Sequence, residues 1–393
     1  MKILFVQDTD WIKRNPTQHN HLLERMVLRG HEVRVIDYPI LWKEDESRKL
    51  FSKREVYKIS RILKGAEHMV IRPPILRLPL LDYVSMLFTY KKEIKTQMKE
   101  FKPDVIIGDG VLTPHIAFTH AKKSEIKLVY YCIDLDYKLI PFGFLQLVGK
   151  MLESKNMKKA DMVISINEML RDYTIRMGAD PKNAIVVRAG IDSKRYDPKV
   201  DGSEIRKKYG IGKNDFVLFF MGWLYHFSGL KEVAMELAKT KNKDLGIKIL
   251  IVGEGDAYDS LQNIINENGL EEHVILAGQQ PFEKIPEYIA AADVCMLPAY
   301  NNDIMRDIVP IKMYEYMAMG RPVVSTKLPG VMKEFGEGHG ISYVDKPEDV
   351  LWKALDLAEK NKLSEEGANA RKFVEKNDWE KVTDEFEGSL EIV

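Results

Sequence analysis

The 393-residue chain is short of cysteine, of net charge and of long apolar runs, and each shortage removes a class of protein. Cys132 and Cys295 are its two cysteines, far apart and each inside an apolar stretch. That argues against a disulfide framework or a thiolate metal site and suits a reducing, cytoplasmic compartment. With 59 basic and 59 acidic residues, no excess charge is available to hold nucleic acid. The longest apolar stretch, Leu139 to Gly149, falls well below the ~18–20 residues needed to cross a bilayer. The opening MKILFVQDTD offers four apolar residues, Ile3 to Val6, where a signal peptide needs ~7–15, so it reads as a strand.

What the chain does have is a repeated alternation of strand and helix. Short apolar runs (KILFVQ, EVRVIDY, VIIGDG, LVYYCID, MVISIN) recur between segments of helical period in the first half. DFVLFFMGW, KILIVGEGD, HVILAGQ, VCMLPAY and RPVVST repeat the grammar in the second. Two doubly wound α/β domains with parallel sheets follow, since a single domain usually holds ~100–200 residues. The polar connecting segment RAGIDSKRYDPKVDGSEIRKKYGIGKND puts the boundary near Asp192, giving domains over 1–192 and 193–375, with a terminal helix at 376–393 expected to pack back on the first.

In open α/β sheets, ligands lie beyond the carboxyl ends of the strands, where helix N-termini present unpaired N–H groups. DIVPIKMYEYMAMGRPVV, Asp307 to Val324, sits at such an end, with Pro310 in the first helical position and Gly320 as the stop. Two readings stand. Lys312 and Glu315 are either a surface pair three apart, or they serve a ligand needing a cation for an anionic group and a carboxylate for vicinal hydroxyls. A nucleotide sugar needs both.

The stretch resembles the signature of the retaining glycosyltransferases of family 4 (glycosyl transferases group 1), whose GT-B fold sets two facing Rossmann-like domains about an interdomain cleft. In that family an acidic residue, seven intervening residues and a Glu open a helix running into a small-residue, Gly, basic, Pro, Val sequence; here Asp307 stands where Glu is commoner. The segments ADMVISINEMLRDY, ILIVGEGDAYDSL and VILAGQQPFEKIPEYIAAADVCMLP resemble further landmarks of the family, so the likeness covers most of the chain. The resemblance implies that Glu315 holds the donor ribose hydroxyls and that Asp307 faces the transferred sugar. It places Gly253, Gly255 and the residues Ile308, Val309, Pro310 and Ile311 at the donor, and backbone groups from Ala277 to Pro281, Gln279 among them, at the nucleobase.

Two departures from the family pattern matter. The Gly-Gly loop expected after the first strand is replaced by TDWIKRNPTQHNH, in which Asn15, Thr17 or His19 substitutes through side chains, His19 being equally a helix-start residue. After Gly222, the Arg and Lys that clamp the diphosphate are replaced by Trp223 and Ser228. Without a metal, the leaving diphosphate needs fixed donors, one of which is worth ~3 kcal/mol in the transition state. Lys312 is the first candidate, with Lys231, Arg188 and His226 behind it. Neither a metal nor a cofactor is implied, the nucleoside diphosphate sugar being substrate.

On the acceptor side, Asp134 and Asp136 end one strand of the first domain, and Asp109 and His115 lie at another. Each has a plainer reading: helix caps, a pair with Lys138, a buried histidine. The segments 71–97 and 137–159 mix aromatic and aliphatic residues with Lys and Arg, a make-up shared by core helices and by segments lying at a membrane interface. The expectation is a metal-independent, retaining transferase acting on a glycan or lipid-linked acceptor, cytoplasmic or at the inner membrane face. A nucleotide-sugar epimerase on the same fold and a non-catalytic subunit acting with a partner are the alternatives.

Overall fold

The computed structural model describes residues 1–14, 16–40, 42, 49–122, 124–140, 142–239 and 246–392. The chain divides into two compact units, Met1–Arg188 with Trp379–Val393, and Ala189–Asp378. The division falls ahead of Asp192 because Ala189 and Ile191 are already buried in the second unit, where Ile191 donates its N–H to the Asn377 carbonyl at 2.8 Å.

In the first unit the described strands are β1 (Lys2–Gln7), β2 (Glu32–Ile36), β3 (Glu55–Ile59), β4 (His68–Arg72), β5 (Val105–Asp109), β6 (Lys127–Cys132), β7 (Met162–Ser165) and β8 (Ala184–Val186). They form one sheet in the order β3-β4-β2-β1-β5-β6-β7-β8. All neighbours are parallel except β3, which runs antiparallel to β4. β1 is buried on both faces, which is why it reads as an unbroken apolar run. Ile3 and Phe5 join the layer of α1 (Gln18–Leu28) and the C-terminal helix (Trp379–Ile392). Leu4 and Val6 join the opposite layer of α2 (Leu81–Glu100), α3 (Leu112–Ala121), α4 (Gly143–Lys159) and α5 (Glu168–Met177).

The C-terminal helix is held to α1 by charge as well as by packing. Arg25 and Arg29 reach Glu380 at 3.1 Å, Arg29 also reaches Glu387 at 2.7 Å, and His21 stacks on Trp379 with ring centroids 4.3 Å apart. α1 ends at Gly30, whose φ of 91° lets the His31 N–H return to the Met26 carbonyl at 3.0 Å.

The second unit carries β9 (Phe216–Met221), β10 (Ile247–Val252), β11 (Val274–Leu276), β12 (Val294–Leu297), β13 (Val323–Thr326) and β14 (Ile341–Val344), all parallel, in the order β11-β10-β9-β12-β13-β14. Its helices are α6 (Ser203–Lys208), α7 (Leu230–Lys239), α8 (Tyr258–Glu267), α9 (Ile285–Ala290), α10 (Ile311–Ala318), α11 (Pro329–Phe335), α12 (Asp349–Glu359) and α13 (Leu363–Val374). β9 alternates between two cores: Leu218 and Phe220 face α7, α8 and α12, while Val217, Phe219 and Met221 face α9, α10, α11 and α13. Both units are therefore doubly wound parallel sheets.

No helix among the described residues is long and apolar enough to cross a membrane. The two apolar-basic segments do more than fill cores. α2 buries Met86, Tyr90 and Ile94 but exposes Leu81, Val84, Leu87 and Phe88, and α4 exposes Phe144, Leu147, Val148 and Met151.

Candidate functional site

The carboxyl ends of β9 and β10 carry three glycines that cannot be replaced without a clash. Gly222 has φ 129° and Gly253 φ 136°; a Cβ on Gly253 would stand 2.0 Å from the Gly222 carbonyl oxygen, so the two strand ends touch backbone to backbone. Gly255, with φ 153°, lies against Leu224, and the Gly253 N–H donates to the Gly278 carbonyl at 2.8 Å. The nucleobase candidates around Gly278 thereby sit next to the glycine turn. Gln279 is exposed there.

Lys312 comes to the same place from α10. A Cβ on Gly222 would lie 2.4 Å from Lys312 Nζ, which is 4.2 Å from the centre of the Phe220 ring. Burial pushes its ammonium down to about 8, against the pull of Glu315. Glu315, one turn on, accepts a 2.6 Å hydrogen bond from the Tyr196 hydroxyl. Burial pushes its carboxyl up, while Tyr196, Lys312 and Arg195 hold it down. Both side chains are half-buried, Lys312 Nζ beside the Phe220 ring and Glu315 on the Tyr196 hydroxyl, so the pair is not a fully solvated surface pair.

Asp307 is placed by a separate contact. Its backbone packs on Gly330, where a Cβ would meet its carbonyl at 2.8 Å, and the Gly330 N–H donates to the Arg306 carbonyl at 2.7 Å. Asp307 Oδ1 is buried with no hydrogen-bond partner, Arg306 Nε standing 3.7 Å away. Val309 is buried, Ile308 half-buried and Ile311 exposed. Pro310 is one position earlier than the sequence suggests: it is the capping residue, with ψ 134°, and the helix proper starts at Ile311, because an extended ψ cannot belong to a helical turn. Gly320, φ 65°, ends it as expected, with the Arg321 N–H returning to the Tyr316 carbonyl at 3.1 Å.

The loop after Gly222 separates two candidates. Trp223 is exposed, its indole N–H directed at Asp256 Oδ2 at 3.3 Å, whereas Ser228 is buried and its Oγ accepts the Tyr225 N–H at 3.0 Å. Ser228 thus closes its own turn. Lys231 and His226 are exposed. Arg188 belongs to the first unit, 3.5 Å from Glu168.

In the first unit, Asn15 lies outside the described residues. Thr17 caps α1, its N–H donating to Asn20 Oδ1 at 2.9 Å. His19 is 2 % exposed, packed on Phe5 and Tyr131, with Nδ1 3.8 Å from Asp109 Oδ2; burial pushes its imidazole down to about 3. It makes more than local contacts, unlike a helix-start residue. His115 bonds Asn156 Oδ1 at 3.0 Å, tying α3 to α4, which fits the plainer reading of that residue. Burial raises Asp134 to about 6 and, with repulsion from each other and from Glu153, takes Asp109 and Asp136 well above the carboxylate range. No group of three His, Cys, Asp or Glu side chains among the described residues is arranged to hold a metal ion.

A model of the glycosyl transferases group 1 matches residues 201–377, and one of glycosyltransferase family 4 matches residues 19–195. The chain belongs to the group 1 glycosyltransferases. Among similar proteins, the uncharacterized glycosyltransferase MJ1069 of Methanocaldococcus jannaschii is 24% identical over 250 residues, covering 62% of this chain and 60% of that one. The D-inositol 3-phosphate glycosyltransferase of Corynebacterium aurimucosum is 25% identical over 198 residues, 48% of this chain and 46% of its own. The matches thus span less than two thirds of these relatives. In three dimensions this group 1 glycosyltransferase is similar over its full length to Anabaena Alr3699/HepE, solved in complex with UDP, with a TM-score of 0.78 at 18% identity and 100% coverage of both chains. That likeness shows the GT-B fold of two parallel-sheet α/β domains.

Several residues of the glycosyltransferase escaped the sequence reading. Tyr196 stands in the polar connecting segment, where nothing marks its hydroxyl as a partner for a residue on α10. Asp8 accepts the Val111, Leu112 and Thr113 N–H groups at 2.7, 2.6 and 2.8 Å, capping α3 from the end of β1. Arg72 bridges Asp10 and Asp37 at 2.8 and 2.6 Å, all three buried. A carboxylate just past a first strand, as Asp8 is, was the available signal.

Proposed function

We propose that the chain is a glycosyltransferase that moves a sugar from a nucleoside diphosphate donor to a carbohydrate or lipid-linked acceptor, retaining the anomeric configuration and using no metal. The observation that carries it is the half-buried Lys312–Glu315 pair facing Gly222 and Tyr196 at the end of β9. Lys312 lies against Gly222, whose lack of a side chain leaves the backbone open to close approach by a bound diphosphate. In this reading it takes the place of the missing Arg/Lys clamp, helped by the unpaired N–H groups at the start of α10. Glu315, with Oε2 left over, accepts from ribose hydroxyls; Asp307 Oδ1, which has no hydrogen bond and only the Arg306 guanidinium 3.7 Å away, accepts from the transferred sugar. The fold neighbour seen with UDP and with UDP-glucose supports a nucleotide-sugar donor, with uridine as the first base to test.

Retention by attack on the donor's own face needs no strong base on the protein, since the leaving phosphate takes the acceptor proton. A lipid-linked acceptor at the inner face of the membrane is supported by exposed Phe88 on α2 and exposed Phe144 and Leu147 on α4, each in a helix that also carries lysines. The test is the purified chain with a panel of nucleotide sugars, with and without acceptors, beside Glu315→Ala. Binding or turnover of a donor that Glu315→Ala abolishes supports transfer. Conversion of the sugar with donor alone supports an epimerase, and a chain that neither binds nor turns over any donor is a non-catalytic subunit.

A further inference from the structure

α4 is amphipathic in the wrong sense for a helix lying on a sheet. Such a helix ordinarily turns its apolar stripe inward. α4 instead buries Glu153 and Asn156, both 0 % exposed, and presents Phe144, Leu147, Val148 and Met151, one helical stripe in which Leu147 is 78 % exposed. Glu153 is the only acid of the helix, so its outer face carries positive charge alone, from exposed Lys150, Lys155 and Lys158 and half-buried Lys159. Burial, and then repulsion from Lys122 and Lys155, pulls the Lys159 ammonium down: the charges that act on it are both positive.

Between this face and the end of α5 lies an open cleft of about 340 Å³. Leu147 and Met151 line part of it, Lys150, Lys158 and Arg176 line the rest, and no acid is among its lining residues. Its floor is fixed. Ser154 Oγ donates to the Met177 carbonyl at 2.6 Å, tying α4 to the last turn of α5, and the Lys158 stem lies along Gly178, where a φ of 108° and the missing Cβ leave room for it. A helix C-terminus draws cations to itself, but that accounts for neither the apolar stripe nor Lys150. α2, which like α4 packs on α3, repeats the pattern. Its first half exposes Leu81, Val84, Leu87 and Phe88, its second half four lysines from Lys91 to Lys99, while Asp82 and Glu93 are buried.

We propose that the cleft binds the phosphate of an anionic phospholipid while the exposed stripe of α4 enters the same leaflet, so that the first unit docks on an anionic bilayer. This docking goes beyond the transfer reading, which names a lipid-linked acceptor but no lipid that anchors the protein, and it stands on the first unit alone. A phosphodiester brings acceptor oxygens and negative charge to Lys150, Lys158 and Arg176, and its acyl chains cover Leu147 and Met151. A free phosphate or a nucleic acid leaves that stripe in water. A second copy meeting this face about a two-fold axis sets lysines against lysines. Lysine stems that run along apolar surface and lift their ammonium groups to headgroup level suit the order of residues in both helices.

The test is flotation of the full chain with vesicles of phosphatidylglycerol and phosphatidylcholine, beside vesicles of phosphatidylcholine alone. Binding is expected to the anionic vesicles and should weaken as salt is raised. Each cation removed should cost about fivefold, so Lys158→Gln combined with Arg176→Gln should cost about twentyfold, and Leu147→Ser about tenfold. All three side chains are exposed, so the variants should keep the melting temperature of the unaltered chain. Equal binding to both kinds of vesicle, or binding that these variants leave unchanged, overturns the proposal. Glycerol 3-phosphate bound as tightly as the vesicles also overturns it, as the mark of a free-anion site, and so does a concentration-dependent dimer that Leu147→Ser abolishes. A chain that floats with anionic vesicles but binds no nucleotide sugar keeps the docking and loses the transfer reading; the converse result does the reverse.

Discussion

Tyr196 donates a 2.6 Å hydrogen bond to Glu315 Oε1 across 119 positions of the chain. The tyrosine is itself fixed, because Arg371 Nη1 reaches the carbonyls of both Tyr196 and Ala318, at 2.8 and 2.6 Å. Arg371 thus clamps the connecting segment to the end of the helix that bears Glu315. Burial favours the protonated carboxyl and the tyrosine hydroxyl favours the ionised one, so the charge on Glu315 depends on this bond.

Tyr196→Phe should therefore weaken donor binding while leaving the fold intact. A hydrogen bond to a charged group is worth ~1.5–3 kcal/mol, or about tenfold and upward in affinity. Because the lost donor stabilised the ionised form, the Glu315 pKa rises further and the pH at which donor binding sets in moves upward. Titration of a nucleotide sugar by calorimetry across pH checks both; an unchanged profile would count against a binding role for Glu315.

Lys312→Met separates stability from activity. Its ammonium is depressed to about 8 by burial, from 10.5. Between those values the unfolded chain binds more protons than the folded one, so folding gains stability as pH rises through that window and bears a cost below it. Removing the charge should raise stability near neutral pH by about 1–2 kcal/mol, after the lost contact with the Phe220 ring is set against it. Transfer should fall at least ~100-fold if Lys312 faces the diphosphate. In the unaltered protein, transfer should decline as pH passes about 8, and Lys312→Arg should delay that decline. Melting curves and steady-state rates decide it; a variant that melts higher and still turns over normally removes Lys312 from the site.

Much of this was legible from the residues alone, and the exceptions have physical causes. The strands that escaped notice were β3, β4, β14 and the three-residue β8. β3 is a half-exposed edge strand with three charged or polar positions, and β4 offers only Met69, Val70 and Ile71 between charged ends. Neither gives the apolar run that marked β1 or β9. The Asp307-to-Glu315 spacing and the terminal glycine placed α10 to within one residue. Tyr196 and the Asp10–Arg72–Asp37 bridge were invisible because each pairs groups far apart in sequence, and pairing of that kind leaves no periodicity to read; Asp8 offered only its place just past the first strand.

The strand-end glycines make a graded prediction. In Gly253→Ala the new Cβ meets the Gly222 carbonyl, which is backbone and cannot move aside, at a φ of 136°. In Gly222→Ala it meets Lys312 Nζ, the free end of a flexible side chain. Both carry the strain of a positive φ, on the order of 1–3 kcal/mol. Gly253→Ala should therefore lose several degrees more in Tm than Gly222→Ala, while Gly222→Ala should lose donor affinity out of proportion to its melting point. Equal effects on stability would mean that the two strand ends are not in the contact described.

The acids of the first unit set a pH dependence of the opposite sign to Lys312. Asp134 is raised to about 6 and Glu153 to about 7, and Asp8, Asp109 and Asp136 are raised as well, all chiefly by burial. From about pH 4, where the unfolded carboxylates titrate, to about pH 7 the folded chain holds more protons than the unfolded one. Stability must then fall as pH rises through that range. Carboxylates held below their usual values by partners, Glu93 beside Arg54 and Glu387 beside Arg29, release their stabilisation only below about pH 4.5 and do not compete in this window. Calorimetric melting of the full chain should place the transition of the first unit several degrees higher at about pH 5 than at about pH 8, and Asp134→Asn should flatten that slope by an amount on the order of 2 kcal/mol. A slope rising with pH would mean that these carboxylates are already neutralised within the fold.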